Sequence, residues 1–492
     1  MLSSNHASFV SLQFWTAIFS LALSCHPSFA AAESKLPLRP PINSTKPLTL
    51  VGTVRLTERN FPRLMQQQAD VDAAKHGITL QKIREYNPSA LMSYQDAVAS
   101  HNRLTQTLFG SAVLPATPGP GPESVSMRPN AFSAAGFIID WAPIDFGLHK
   151  ARINYSKSEY KLSQAAYNLT LLDVCVDSAA RFLDALVMRE QVQVARANVQ
   201  QFSDFSTIVH AKVNAGLKPG ADASLADSQL ANARNDLIRA RLNSDLAKTD
   251  LGFITGQGGE LIEIDPGGIV LVTEPTDSQQ AEPDFFAHPL AQTRKAEFDV
   301  NIASRKILSK EYYPTLRWLG GVNLRGTTFD TNRGDVPAPD VSGIFPVVPN
   351  WNVGLMIDFP FLDIIRIKAE EKVVDDRIRA SQSALDLAIQ RLKTDNVQAR
   401  VKVQAAVELA ANMPVQVRAA EEAAQQAQAR YAAGLATVAQ VAEANQILAD
   451  SRVKEAVANV GVWKALLATA AAHGDLRPFL TAADSATQKE TP

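Results

Sequence analysis

The chain has 492 residues, with 48 Lys or Arg against 50 Asp or Glu and a net charge of −2. The two signs are mixed along the chain, so no basic surface is expected and nucleic acid is not an expected partner. Beyond the first 30 positions no run of about 18 apolar residues occurs, which predicts a mature chain without a helical membrane span.

The N-terminal segment, residues 1–32, is predicted to be a secretory signal peptide. An apolar stretch from Phe14 to Leu23 precedes small residues suited to cleavage. Cys25 is either removed with this signal or, in a second interpretation, a lipidation site. If it is removed, only Cys175 remains, which excludes a disulfide within the chain and makes Cys175 a small packing residue.

A first repeat is predicted over residues 48–256, after an extended lead-in of residues 33–47 rich in Pro, Ser and Lys. It begins with a helical stretch that ends near Tyr86, before Asn-Pro. A strand is expected next, although its pattern places Tyr94 and Asp96 on the apolar face.

A second strand of this repeat is predicted to end in the sequence IIDWAPID, at Asp145. The loop before it, residues 109–130, is rich in Pro and Gly and is expected to lie in water, because irregular backbone cannot sit in hydrocarbon. A helix without Pro or Gly is then predicted over 67 residues, Leu148 to Asn214, a length of about 100 Å. A returning helix follows at Ala221–Thr255.

A connector, residues 257–288, is predicted to lead into a second repeat, residues 289–474, with the same order of elements. Its first strand follows Pro314, its loop covers residues 326–350, and its long helix carries a proline at position 414. Its last helix is predicted at Thr437–Ala472, and residues 475–492 form a C-terminal tail.

The strand predicted at Trp351–Phe361 indicates its environment, because every second residue is apolar. Period-two alternation with aromatic residues near the ends is expected of a strand between lipid and a water-filled lumen. A half-buried sheet of a soluble protein gives the same alternation, so the pattern alone leaves both interpretations open. Only two strands per repeat are predicted, and four strands cannot close a membrane barrel.

The two repeats are copies at a fixed distance. The sequence IIDWAPID returns as MIDFPFLD, which moves Asp145 to Asp363, 218 residues further on. AGL at 215–217 returns as AGL at 433–435 with the same spacing. A constant offset over this distance indicates an internal duplication.

The long helices carry apolar residues at alternating spacings of three and four, as in a coiled coil. These residues are Leu169, Leu172, Val176, Ala179, Leu183 and Leu186 in the first repeat and Val453, Val457 and Val460 in the second.

Sequence motifs for catalysis are missing. The chain contains no G-x-x-x-x-G-K-[ST], G-x-S-x-G, C-x-x-C or H-E-x-x-H, and its mature histidines show no spacing typical of metal ligands. An enzyme, a cofactor and a metal site are therefore not expected.

The duplication, the strand-ending IDWAPIDFG and IDFPFLDII, and the hairpin sequences VNAGLKPGADASLADSQLANAR and RYAAGLATVAQVAEANQIL together resemble the TolC-type outer-membrane factor family. The resemblance implies a mainly α fold with β, in which duplicated long-helix hairpins form a trimeric α-helical tunnel. Four strands per chain are then pooled into a twelve-stranded outer-membrane β-barrel.

The resemblance also implies a function. Such a protein is a passive homotrimeric conduit in the outer membrane that extends into the periplasm, serves tripartite efflux or type I secretion, and is gated at its periplasmic end. Its partners would be a periplasmic adaptor (membrane fusion) protein, an inner-membrane transporter and outer-membrane lipid.

Six residues take site roles from the resemblance. Gly216, Leu217, Gly434 and Leu435 would form the hairpin tips that contact the adaptor, although glycines there also end helices. Gln440 and Glu443 would constrict the tunnel mouth; Glu443 could equally be a solvated helix residue. Ala436 stands where some members have a basic residue.

Two alternatives of other classes remain at this level. An exported coiled-coil scaffold without a pore would also have long helices, but it does not explain the apolar strand faces. A periplasmic adaptor would have one helical hairpin, whereas this sequence predicts two.

Overall fold

A computed structural model of the chain describes residues 47–101, 126–267, 283–327, 345–346 and 348–488. The predicted signal peptide, the possible lipidation of Cys25, nearly all of the lead-in and most of both strand-connecting loops lie outside the described residues. Within these ranges the chain forms eight helices and four strands. They are α1 (Leu50–Asn60), α2 (Pro62–Tyr86), β1 (Ser89–His101), β2 (Ser126–Ile144), α3 (Leu148–Asn214), α4 (Gly220–Ile254), α5 (Pro289–Glu311), β3 (Thr315–Thr327), β4 (Val348–Asp358), α6 (Ile364–Ala432), α7 (Val438–His473) and α8 (Arg477–Gln488).

The predicted helices are confirmed with small changes at their ends. The 67-residue helix α3 has the predicted bounds, and α6 continues through Pro414. The first helical stretch was predicted as one element and is two, because Phe61 adopts an extended conformation before Pro62. Proline disfavours helical backbone at the preceding residue, which explains the break.

The predicted loops are too long at their edges. Residues 126–130 belong to β2, because β1 pairs with β2 as far as His101 opposite Ser126. Residues 326–327 and 348–350 likewise belong to β3 and β4. The last strand ends at Asp358 rather than at Phe361, since Pro360 cannot donate to a ladder.

Backbone contacts divide the chain into two compact units. The sheet unit contains the described parts of residues 79–153 and 306–371. The helical unit contains the described parts of residues 41–78, 154–305 and 372–492.

The sheet unit is built on a four-stranded antiparallel sheet in the order β1-β2-β3-β4. One row of paired residues crosses it as Met92, Phe137, Val322 and Trp351, all exposed. The next rows on this face carry Ile139, Val353, Trp141, Trp318 and Leu355. The predicted apolar face is therefore confirmed, and it is shared by all four strands.

The opposite face of the sheet is polar near the C-terminal ends of β2 and β4, the strands that precede α3 and α6 in the sequence. Arg317 lies between two carboxylates, with a hydrogen bond to Asp140 and an ion pair of 3.5 Å to Asp358. Asn323 pairs in register with Asn350 further along the same face. The two faces thus differ as strongly as the alternation predicted.

Strand β1 forms despite its unfavourable pattern. Tyr94 and Asp96 do lie on the exposed face with Met92 and Val98. The Tyr94 hydroxyl donates a hydrogen bond of 2.6 Å to the Asp96 carboxylate. Asp96 therefore lies on an apolar face with a neighbouring donor, which reduces the cost of leaving water.

The helical unit has one main apolar core, formed by α1, the start of α2, α3, the end of α4, α7 and α8. Phe182, Leu183 and Leu186 of α3 are fully buried in it. Helix α8, within the predicted tail, packs Phe479 edge-on against Trp463 at 6.1 Å. Cys175 is free and buried in this core, and burial raises the pKa of its thiol to about 12, as expected of a packing residue.

The predicted seam is confirmed for α3 and partly wrong for α7. Leu172, Ala179, Leu183 and Leu186 are buried. In α7, Val460 is buried, but Val457 is 45% exposed. A coiled-coil seam was expected to bury both.

His288 joins the start of α5 to the end of α7. Its Nδ1 accepts a hydrogen bond of 3.0 Å from the Leu290 amide, and its Nε2–H donates to the Ala471 carbonyl at 3.1 Å. Only a neutral ring can do both. Burial is the main cause of the lowered pKa of His288, against the opposing effects of the Ala471 carbonyl, Asp173 and Asp395.

A lowered pKa makes the fold sensitive to acid. Because His288 resists protonation in the folded protein, its contribution to the free energy of unfolding is complete above the ordinary pKa of 6.5. This contribution is lost as the pH falls below that value. We expect the urea concentration at the midpoint of unfolding to be lower at about pH 5.5 than at about pH 7.5. His288→Asn keeps an acceptor for Leu290 without titrating, so it should show a smaller fall. Part of the fall should remain, since burial and Arg400 also lower the pKa of His473. An equal fall in the variant would contradict this role.

Candidate functional site

The two AGL turns have the same backbone structure. Gly216 and Gly434 have φ angles of 72° and 81°, in the left-handed region that glycine adopts without a steric penalty. The Leu217 amide donates to the Lys212 carbonyl and the Gly216 amide to the Val213 carbonyl, both at 2.9 Å. The second turn repeats both bonds 218 residues further on, so each long helix ends in a Schellman motif.

The leucine of each turn is exposed. Leu217 and Leu435 are each 71% exposed, although most leucines of the helical core are buried. The hydrogen bonds of the turn hold the backbone and leave most of both side chains exposed to solvent. These two leucines are therefore equivalent apolar side chains, one on each turn, that are exposed to solvent.

A small apolar cluster connects the two turns within the chain. It contains residues from α3, α4, α6, α7 and the second turn: Phe205, Val209, Ala223, Ala226, Tyr431, Ala436, Val438 and Val441. Phe205 and Tyr431 pack edge to face at 5.1 Å. Ala436 is 8% exposed, so a long basic side chain at this position would meet a packed cluster.

Lys212 contacts the end of α6, which the sequence did not indicate. Its ammonium donates to the Ala432 carbonyl at 2.8 Å and to the Tyr431 carbonyl at 3.3 Å, and it lies 5.1 Å from the centre of the Tyr431 ring. A cation at the C-terminal end of a helix interacts favourably with the helix dipole. Lys212 of the first repeat therefore caps α6 of the second.

The two residues predicted to line a tunnel mouth have different surroundings. Gln440 forms a capping box with Thr437, in which the Gln440 side chain accepts from the Thr437 amide at 3.0 Å. Its amide group thus stabilises the start of α7. Glu443, also exposed, makes no hydrogen bond or ion pair with any described residue.

A second polar contact near the first turn joins α3 to α4. Asp227 accepts from Ser206 at 2.9 Å and lies 3.0 Å from the His210 Nε2. The hydrogen bonds of His210 and then Ser206 lower the pKa of Asp227. Sequence spacing gave no signal for this trio, because its members lie on two helices.

Metal-binding clusters of three or more His, Cys, Asp or Glu residues are not found in the described ranges. Among the described helices, none is both long enough and apolar enough to cross a membrane.

The sequence profile of the family described as outer membrane efflux protein matches residues 130–257 and 289–474, more than half of the chain. The match covers the first repeat from within β2 to the end of α4, and the second repeat from α5 to the end of α7. The chain therefore belongs to the outer membrane efflux protein family. No curated protein sequence matches it.

Solved structures of outer-membrane channels share the fold. CusC, whose structures concern folding and transmembrane channel formation, superposes with a TM-score of 0.68 at 14% identity and covers 87% of this chain and 92% of its own. CmeC of Campylobacter jejuni gives 0.66 at 14% identity, with 86% and 85% covered. MtrE of Neisseria gonorrhoeae, in its open state, gives 0.63 at 13% identity, with 87% and 89% covered.

Family membership settles the class of protein. The chain is the outer-membrane channel component of a tripartite efflux system, within a family of channel proteins, and the family implies a trimeric assembly that works with partner components. The predicted TolC-type resemblance and fold class are confirmed. The alternatives of a scaffold without a pore and of a periplasmic adaptor are rejected.

Proposed function

We propose that the protein is a passive homotrimeric conduit in which each chain adds its four strands to a closed barrel of twelve. The supporting observation is the sheet itself, which has one apolar face and, within the described residues, two open edges at β1 and β4. Pairing β4 of one chain with β1 of the next would satisfy both edges, and outer-membrane lipid would cover the apolar face.

The duplication supports the same assembly in the helices. Within one chain, Ala179 and Leu183 of α3 share a buried core with Val460 of α7. The copies of these residues, 218 positions away, are Val397 and Val401 on α6 and Leu242 on α4.

All three copies are exposed, by 54%, 61% and 57%. A contact between α3 and α7 joins the first repeat to the second inside the chain. The equivalent contact from the second repeat onward would join α6 to α4 of the next chain. Three chains would then close a ring of six similar contacts.

The proposed partners are a periplasmic adaptor, which contacts the two turns, and an inner-membrane transporter, which supplies the energy. Gly216 and Gly434 fix the turns, and Leu217 and Leu435 provide the exposed apolar groups that a partner can bury. Equivalent turns in three chains would give six similar binding points, which favours a multivalent partner.

The proposed gate is a ring of Glu443 side chains, one from each chain, at the mouth of the conduit. Glu443 is suited to this role because it is exposed and unpaired among the described residues. Gln440 belongs to the same turn of α7, where its capping box would hold the start of the helix that carries Glu443.

The tips are tested by charging both leucines. We expect Leu217→Asp with Leu435→Asp to reduce dye efflux and adaptor co-purification at least about tenfold, since a carboxylate cannot enter an apolar contact without a large desolvation cost. The amount of trimer in the outer membrane should not change, because both positions are solvent-exposed in the chain.

Ile208→Asp is the matched control. Ile208 is 49% exposed on α3, and its copy in the second repeat is the exposed Gln426, so a polar residue is already accepted at this position. Normal efflux and co-purification by the double variant would contradict the proposal that the two turns contact the adaptor.

A further inference from the structure

A cleft of about 320 Å³ lies in the helical unit between α3, α4 and the connector, apart from both turns. Four cationic side chains line it: Arg189 and Arg196 from α3, and Arg241 and Lys248 from α4. Two acidic residues, Asp245 and Glu263, also line it, so positive charges outnumber negative ones by two.

The cations of this cleft are poorly neutralised within the chain. Lys248 binds Glu263 at 2.7 Å. Arg189, Arg196 and Arg241 make no ion pair with any described residue, whereas three of the seven exposed arginines of α6 pair with a carboxylate three or four positions away. A cleft that gathers three unpaired guanidinium groups is suited to an anion.

One buried donor of the cleft also lacks a partner. The Arg189 Nη1 is buried and has no hydrogen bond. Ser244, which is 7% exposed, also lines the cleft. Buried donors are nearly always paired in native proteins, so this unpaired nitrogen indicates that an acceptor from outside completes the cleft.

The second repeat provides an internal comparison. At 218 positions beyond the four cations stand Val407, Pro414, Asn459 and Leu466, and Ser244 corresponds to Val462. None of these is charged. Helix pairing and ring formation use both repeats, so neither requires the four cations that only the first repeat has.

We propose that this cleft binds a phosphate group, either as the free anion or as a phosphate monoester. The dianion of such a group matches the excess of two positive charges, whereas a single carboxylate would neutralise only half of it. Arginine presents paired donors that fit phosphate oxygens. The volume exceeds that of phosphate alone, so a small organic group attached to the phosphate can be accommodated. A bound phosphate would connect α3 to α4 within the first hairpin.

Calorimetric titration of the detergent-purified full-length assembly tests the site. Inorganic phosphate and glucose 6-phosphate are the probes, at constant ionic strength. We expect saturable binding of one ligand per chain by at least one of them. Binding of inorganic phosphate indicates a site for the free anion, and binding of glucose 6-phosphate alone indicates a phosphorylated organic ligand.

Variants link binding to the cleft. Arg196→Gln with Arg241→Gln should weaken binding at least about tenfold. Arg239→Gln, on the same helix and 78% exposed at its side chain, should leave it unchanged. No binding of either probe, or equal binding by the double variant, would overturn the proposal.

Arg189→Met gives an independent readout. Because it removes the unpaired buried nitrogen but keeps an apolar stem, its thermal midpoint without phosphate should equal or exceed that of the wild type. Phosphate should raise the midpoint of the wild type and not that of the variant. A lower midpoint with and without phosphate would show that Arg189 has only a structural role, and would overturn the proposal.

Discussion

The variant Leu242→Asp with Val401→Asp is expected to be a monomer. In the proposed trimer, Leu242 of one chain packs against Val401 of the next, as Val460 packs in one core with Leu183 inside the chain. Two facing carboxylates in an apolar contact would lose their hydration and repel each other, which is worth several kcal/mol per contact. Light scattering or cross-linking in mild detergent should show at least a tenfold loss of trimer.

Val457→Asp is the control for this experiment. Val457 is 45% exposed on α7, and its copy in the first repeat is Arg239, which is charged and exposed. This variant should therefore remain a trimer. If the double variant also stays trimeric, α4 and α6 do not form the subunit contact, and the assembly derived from the duplication is wrong.

The variant Gly252→Ala is expected to destabilise the helical unit by about 1–3 kcal/mol. A Cβ at Gly252 would lie 2.5 Å from the carbonyl oxygen of Glu260 and 3.1 Å from that of Gln257. Both atoms belong to the backbone that returns across the end of α4, so neither can rotate away. The displaced segment continues to Ile262 and Ile264, which are buried in the main core.

Gly461→Ala separates this steric effect from helix propensity. Gly461 also lies inside a helix, but a Cβ there meets nothing within 4 Å. Alanine should stabilise the protein by about 0.5–1 kcal/mol at this position. Chemical unfolding followed by circular dichroism measures both variants. A Gly252→Ala protein as stable as the wild type would show that the returning segment can move without cost.

Local rules predict most of the fold. Glycines and prolines marked the ends of helices, and the absence of both between Leu148 and Asn214 predicted the bounds of α3. The end of β2 nearest the loop was missed because strand pairing, rather than composition, decides where that strand begins. The partner residue of Ser126 is His101, across a loop whose sequence does not specify the register.

The site was less predictable than the fold. The turn geometry at Gly216 and Gly434 follows from sequence, because a left-handed residue favours glycine. The bond between Lys212 and the Ala432 carbonyl does not, since the two residues are 220 positions apart. Gln440 is a different case. Its spacing of three from Thr437 fits the capping box that the structure contains, whereas the resemblance to the family predicted a residue of the tunnel mouth.

The open edges of β1 and β4 have a consequence for biogenesis. Until it associates, a newly made chain presents the backbone groups of these two edge strands, which have no partner strand among the described residues, beside a broad apolar surface. Such edges also accept strands from unrelated chains, which leads to aggregation. Correct association depends on the concentration of copies of this chain, whereas aggregation depends on the time spent alone. The yield of assembled protein therefore depends on the relative rates of these two processes. Rapid overproduction without membrane insertion should favour aggregates.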